Sequence, residues 1–316
     1  MFGFYRYLLA FDVMFFHFKA HIPWPGSSVF IFYFLSGFLM TKVLGEKYGY
    51  GIQPFRRFMS RRIAKVYLPY IVVFLPVVIG ITLRLSRYPF QLCEPLRVPI
   101  SLKEWLENFF LIPLDTSRWR RIVPPSWSLG NELVFYILLA FGIGRTRLRA
   151  LIWLVVSAVL AFLIVDIYTT PLSASLGFSL GSVSFHFRHH PWIRSISRFP
   201  KFAILSWVVF ALSWSHYLKP GPSLYVGLLL GGWTVLCLSK HPVEMQSTKL
   251  RRLDSLLGDF SYLIYLTHWP AGILVINLTK GVGPLYYFLT LLLTHMTALL
   301  IYPLSLYADR IQDRKG

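Results

Sequence analysis

Val66-Tyr-Leu-Pro-Tyr-Ile-Val-Val-Phe-Leu-Pro-Val-Val-Ile-Gly-Ile-Thr-Leu83 runs for eighteen residues without a charged side chain. A helix that crosses the hydrocarbon core of a bilayer needs about 20 apolar residues. A helix on the surface of a soluble protein shows an apolar stripe on one side only. Segments of the same kind recur along the chain, at 4–21, 27–44, 66–83, 127–144, 150–167, 171–187, 202–216, 223–239, 258–277 and 284–306. The sequence therefore predicts an all-α, polytopic integral membrane helix bundle of about ten transmembrane helices. Residues 1–316 form a single membrane domain with no internal repeat, low-complexity run or soluble appended domain.

Composition points the same way. The chain is 55% hydrophobic and only 14% charged, against roughly a quarter charged in a soluble domain, which leaves too little charge to coat a water-facing surface. Lys and Arg number 32 against 13 Asp and Glu. In a soluble protein that excess would suggest nucleic acid, but here apolar segments separate the basic clusters, as cytoplasmic loops require. With the N-terminus inside, twenty-one Lys and Arg fall on inner loops and ten on the outer side. The expectation is that both termini are cytoplasmic. Within the long outer segment 84–126, residues 103–111 read as a short amphipathic helix lying at the interface. The first apolar stretch carries Arg6, Asp12 and His17 and has no small-residue cleavage site, so it reads as a permanent span and not a signal peptide. Cys93 and Cys237 are the two cysteines, too few for a disulfide framework.

An ionisable group inside a span costs about 2.5–3.5 kcal/mol on insertion scales, which makes each one a functional candidate. Arg6, Asp12, His17, Glu132, Asp166, Asp259 and His268 form this set. Arg6 and His17 are eleven residues apart, which on a helix returns them to almost the same face about 16 Å apart along the axis. Histidine suits general base work near neutral pH. The structural alternative is that His17 hydrogen-bonds a neighbouring helix while Arg6 snorkels to headgroups.

Four stretches occur in a telling order: Arg6-Tyr-Leu-Leu-Ala-Phe-Asp-Val-Met-Phe-Phe-His17, Phe30-Ile-Phe-Tyr-Phe-Leu-Ser-Gly-Phe-Leu39, Pro125-Ser-Trp-Ser-Leu-Gly-Asn-Glu-Leu-Val-Phe-Tyr136 and Ser261-Tyr-Leu-Ile-Tyr-Leu-Thr-His-Trp-Pro270. Together they resemble the motifs of the membrane acyltransferase-3 family. The resemblance implies about ten spans, a cytoplasmic acyl-CoA donor such as acetyl-CoA, a cell-surface or exported glycan as acceptor, and a bacterial inner membrane location. The chain departs from the family where the Leu-Asp-Gly-Leu-Arg opening is reduced to Phe2-Gly-Phe-Tyr-Arg6. An Arg-x-x-Arg pair becomes Arg62 and Lys65, keeping charge but losing the bidentate fork. The Glu-Arg-Pro-like ending of many relatives and a hydrolase-like C-terminal domain are missing, so transfer is expected to finish at the membrane site.

From these readings His17 is the expected general base, with Glu132 orienting it as the third member of a triad does and Arg6 completing the catalytic set. Arg61, Arg62 and Lys65 are expected to meet the donor phosphates, with ordinary positive-inside topology as the competing account. Ser128 or Asn131 can stabilise an oxyanion, and His268 forms a supporting wall. Arg118, Arg120 and Arg121 are expected to receive an acidic acceptor, either a carbohydrate or a lipid-linked glycan, against the alternative of an exposed basic loop. Ser36 and Gly37 read as a close helix contact. His21, one turn after His17, gives two metal ligands without a third, and no metal is expected. No nucleic-acid partner is expected; membrane lipids are. The alternative function is a membrane transporter or flippase for a glycan or lipid.

Overall fold

The computed structural model of the protein describes residues 2–18, 27–83, 99–112, 121–163, 171–213, 220–240 and 247–313, and every regular element among them is helical. The helices are α1 (Phe2–Phe18), α2 (Ser27–Val43), α3 (Ile52–Thr82), α4 (Leu102–Phe110), α5 (Ser126–Ala140), α6 (Arg147–Leu163), α7 (Pro171–Phe187), α8 (Pro191–Ile196), α9 (Pro200–Leu212), α10 (Pro220–Ser239), α11 (Thr248–Thr279) and α12 (Pro284–Asp313). A π-helical turn, Leu44–Tyr48, continues α2. Each apolar segment read from the sequence lies largely on a helix of its own, and α3, α11 and α12 run well beyond their apolar parts. Arg56, Arg57, Arg61, Arg62 and Lys65 lie on the first turns of the continuous helix α3, ahead of the apolar run that begins at Val66.

Among the described residues four stretches, Ser27–Tyr48, Ile52–Gly80, Gly221–Ser239 and Pro284–Tyr307, are long and apolar enough to cross a membrane. The outward faces make the same demand. Ile152, Val155, Val156, Val159 and Phe162 on α6, and Phe288, Met296, Leu299 and Leu300 on α12, are all exposed. Water does not tolerate contiguous apolar faces of this extent, whereas lipid does. The chain is an integral membrane protein. Pro69 and Pro76 within α3, Pro270 within α11 and Pro303 within α12 fit that setting, because neighbouring helices can satisfy the carbonyls that proline frees.

The short helix expected at 103–111 is α4. Ser101 caps it by accepting from the Glu104 amide at 3.2 Å, and Leu111 ends it in the left-handed region at φ 55°. Its polar residues Glu104, Glu107 and Asn108 are buried, while Leu102, Leu106, Phe109 and Phe110 are exposed. An apolar face turned outward over a buried polar face suits the membrane boundary.

Since lipid offers no hydrophobic drive between helices, their association depends on close packing and polar contacts. In α2 and α7, a Cβ on Gly37 would lie 2.1 Å from the Phe178 carbonyl oxygen, and one on Gly181 would lie 2.0 Å from that of Phe34. Thr41 Oγ1 donates to Ser182 Oγ across this contact at 2.9 Å. The α1–α11 crossing is tighter still: a Cβ on Gly3 would lie 1.6 Å from the Asp254 carbonyl oxygen. The Phe4 amide also donates to Asp254 Oδ1 at 2.9 Å. From Gly3 to His17 and from Asp254 to His268 the chain advances fourteen residues in each case, and both residue pairs touch, so α1 and α11 run parallel in one register.

Graded glycine substitutions test this packing. Gly3→Ala is expected to lower stability by at least about 1–3 kcal/mol, the cost of overpacking. Gly258→Ala, whose Cβ would meet Gly3 Cα at 3.2 Å, should cost less, and Gly80→Ala, with nothing within 4 Å, should be neutral or slightly stabilising. Thermal unfolding in detergent checks the order; equal effects at all three positions would refute the close crossing.

Candidate active site

The parallel register of α1 and α11 sets His17 against His268. His17 Nδ1 and His268 Nε2 are 2.8 Å apart, the two rings lie nearly parallel at 7° with centroids 5.0 Å apart, and Trp269 stands edge-on to His17 at 5.1 Å. His268 is fully buried, and its Nδ1 lies 3.0 Å from the Ile264 carbonyl oxygen. A carbonyl can only accept, so His268 Nδ1 carries the proton, and the neutral ring leaves Nε2 as an acceptor. His17 must then donate from Nδ1. In its neutral form that places the lone pair of His17 on Nε2. A base with a defined unprotonated nitrogen, held by a partner at its other nitrogen, is the arrangement general base catalysis uses.

Glu132 belongs to a different part of the same polar interior. Its Oε1 accepts from Ser36 Oγ at 2.9 Å and its Oε2 from Tyr136 Oη at 3.2 Å, and the charges of Arg6 and Arg62 act on it. No bond joins Glu132 to His17 among the described residues: His17 pairs with His268, and Glu132 meets the opposite charge that a carboxylate buried in lipid needs. Arg6, Ser128, Glu132, Tyr262 and Tyr265 border a cavity of about 50 Å³. Tyr265 links the two parts, since its hydroxyl lies 2.7 Å from Ser128 Oγ and its ring centroid 6.1 Å from that of His268. Ser128 also donates to the Pro125 carbonyl at 3.1 Å, and Asn131 Nδ2 donates to Tyr33 Oη at 3.3 Å.

Of the basic residues expected to meet a donor, Lys65 pairs with Asp259 at 3.3 Å and Arg61 lies over the Tyr48 ring at 5.8 Å. Arg62 sits over the Phe58 ring at 5.6 Å, and its buried Nε has no hydrogen-bond partner among the described residues. Arg121 is buried and donates to the carbonyls of Glu107, at 2.6 Å, and Ile112, at 2.9 Å. It thus holds the end of α4. Arg118 and Arg120, together with Asp166, His21, His216 and Cys93, lie outside the described residues. Asp12 accepts from Ser28 Oγ at 2.6 Å.

Sequence reasoning missed Ser36, Tyr136 and Tyr265. Tyr136 carried a usable signal, as it stands one helical turn from Glu132. Ser36 was read only as a small packing residue; Gly37 beside it does that job. Tyr265 has no local signal, because its partner Ser128 is 137 residues away.

The sequence profile of the acyltransferase-3 family, described as an acyltransferase domain, matches residues 4–303. With that match spanning almost all of the chain, the protein belongs to this family and is a membrane acyltransferase. No curated protein and no solved structure matches it.

Ring-nitrogen NMR on ¹⁵N-histidine-labelled protein tests the hydrogen-bond chain. In the neutral form His17 is expected to hold its proton on Nδ1. His268→Ala should release this preference, and a proton on Nε2 in the wild type would exclude His17 as the base.

Proposed function

We propose that the protein transfers an acyl group, acetyl in the simplest case, from cytoplasmic acyl-CoA to a hydroxyl of a cell-surface or exported carbohydrate, with His17 as general base. The observation that carries this reading is the one-way chain from His17 through His268 to the Ile264 carbonyl, which leaves His17 Nε2 available to accept a proton. In the reaction His17 Nε2 removes the acceptor hydroxyl proton as that oxygen bonds to the thioester carbonyl carbon. The carbon–sulfur bond then breaks, and the thiolate recovers a proton from His17. His268 acts as the positioning residue, in place of a carboxylate. Polar donors such as Ser128 and Asn131 are candidates for stabilising the oxyanion.

The donor phosphates are assigned to the α3 end that carries Arg61, Arg62 and Lys65. The unpartnered buried Nε of Arg62 supports this, as buried donors normally find an acceptor. In the same reading the chain crosses the membrane about ten times with both termini cytoplasmic, in a bacterial inner membrane. The parallel run of α1 with α11 is what that threading requires, since both cross in the same direction.

Label transfer from acetyl-CoA to a glycan and lipid-glycan extract by the reconstituted protein tests the proposal. His17→Ala is expected to lower turnover by about 10²- to 10⁴-fold. His268→Ala should lower kcat by about tenfold, one hydrogen bond's worth, with KM little changed, and His268→Gln, which keeps an acceptor oxygen, should recover part of the loss. Wild-type turnover in His17→Ala would remove the histidine from the mechanism.

A further inference from the structure

At the end of the bundle where α1 begins and α2, α7 and α10 end, a cavity of about 680 Å³ opens between the helix ends. Lys42, Arg188, His189, Arg194, Arg198 and Lys240 line it, and the one carboxylate among the described lining residues is Glu46. Phe2, the first residue of α1, also borders it. His17 lies fifteen residues further along that helix, about 22 Å away at 1.5 Å per residue. The basic residues of α3 take no part in it. We propose that this cavity is a binding site for a phosphate-bearing ligand, separate from the α3 residues and from the histidine pair.

Positive charge on one side of a membrane protein is ordinary, but charges that only set topology spread into solvent on long side chains. These converge from the ends of α2, α7 and α10 and from α8 and the residues after it into one concavity, and part of the lining is fixed in place. Arg188 Nη1 donates to the Phe185 carbonyl at 2.8 Å and its Nη2 reaches Glu46 Oε1 at 3.3 Å. Lys240 Nζ donates to the Ile193 carbonyl at 2.9 Å, and Trp233 Nε1 donates to that of Ile196 at 2.6 Å. These two bonds clamp α8 onto α10 and so hold Arg194 and the neighbouring Arg198 over the cavity. Burial and the nearby Arg194 and Arg198 charges pull the Lys240 ammonium below the ordinary lysine range. Burial and the charges of Arg188, Arg194 and Lys240 do the same to the His189 imidazole. Cations pressed together this way lose stability until an anion joins them, and guanidinium groups match phosphate oxygens in pairs. A soluble nucleotide and a lipid headgroup both offer that chemistry. The inference stands whether or not acyl transfer proceeds as proposed.

Two arms test it on the full chain. Calorimetry in detergent measures binding of adenosine 3′,5′-bisphosphate, and native mass spectrometry measures retention of phosphatidylglycerol over phosphatidylcholine. At least one probe is expected to bind in a salt-sensitive way. Arg194→Gln with Arg198→Gln should weaken it by about tenfold or more, and Lys42→Gln should weaken it independently. Arg251→Gln with Arg252→Gln, exposed on α11 and outside the lining, should leave it unchanged in protein of equal thermal stability. A nucleotide response identifies a soluble phosphate ligand and a lipid response a headgroup. Binding of neither probe, or equal weakening by both arginine pairs, would overturn the site.

Discussion

The parallel contact between α1 and α11 governs most of the interior. Gly3 admits the Asp254 carbonyl so closely that any side chain would collide with backbone, and the Phe4 amide fastens the same point through Asp254 Oδ1. Helices that touch at one end with no side chain between them are forced into a common register along their length. About four turns on, that register places His17 and His268 ring over ring. The pairing of two residues 251 positions apart in the chain thus shares its register with the close approach at Gly3.

Most of the polar groups described in the apolar interior find a partner where water cannot reach them. Glu132 takes two hydroxyls and the charges of Arg6 and Arg62. Lys65 takes Asp259, Asp12 takes Ser28, and His268 takes a backbone carbonyl on one side and His17 on the other. Within this network the neutral His17 keeps a lone pair on its remaining nitrogen.

Charge is distributed in the same economical way at the bundle end. At the Glu132 cluster one carboxylate meets the charges of Arg6 and Arg62, while the cavity at the start of α1 gathers six basic side chains around one carboxylate. A large excess of positive charge in a concave, clamped setting is suited to an anion from outside.

Much of this was legible in the sequence. The apolar runs placed the helices, and Ser101 marked the start of α4, because hydropathy and capping act over a few residues. The Arg6–His17 spacing was correct, since both lie on one helix. The four motifs pointed to the acyltransferase-3 family that the profile match then showed. What the sequence left undecided was partnership across the bundle. It suggested Glu132 for His17 because both occur in motifs, whereas the contacts in the structure are His17 with His268 and Glu132 with Ser36 and Tyr136. It offered Arg121 to a substrate, although its guanidinium holds the carbonyls that end α4. Local pattern is set by neighbours along the chain. Partnership is set by how closely backbones approach, and that distance depends on which residues of two remote helices happen to face each other.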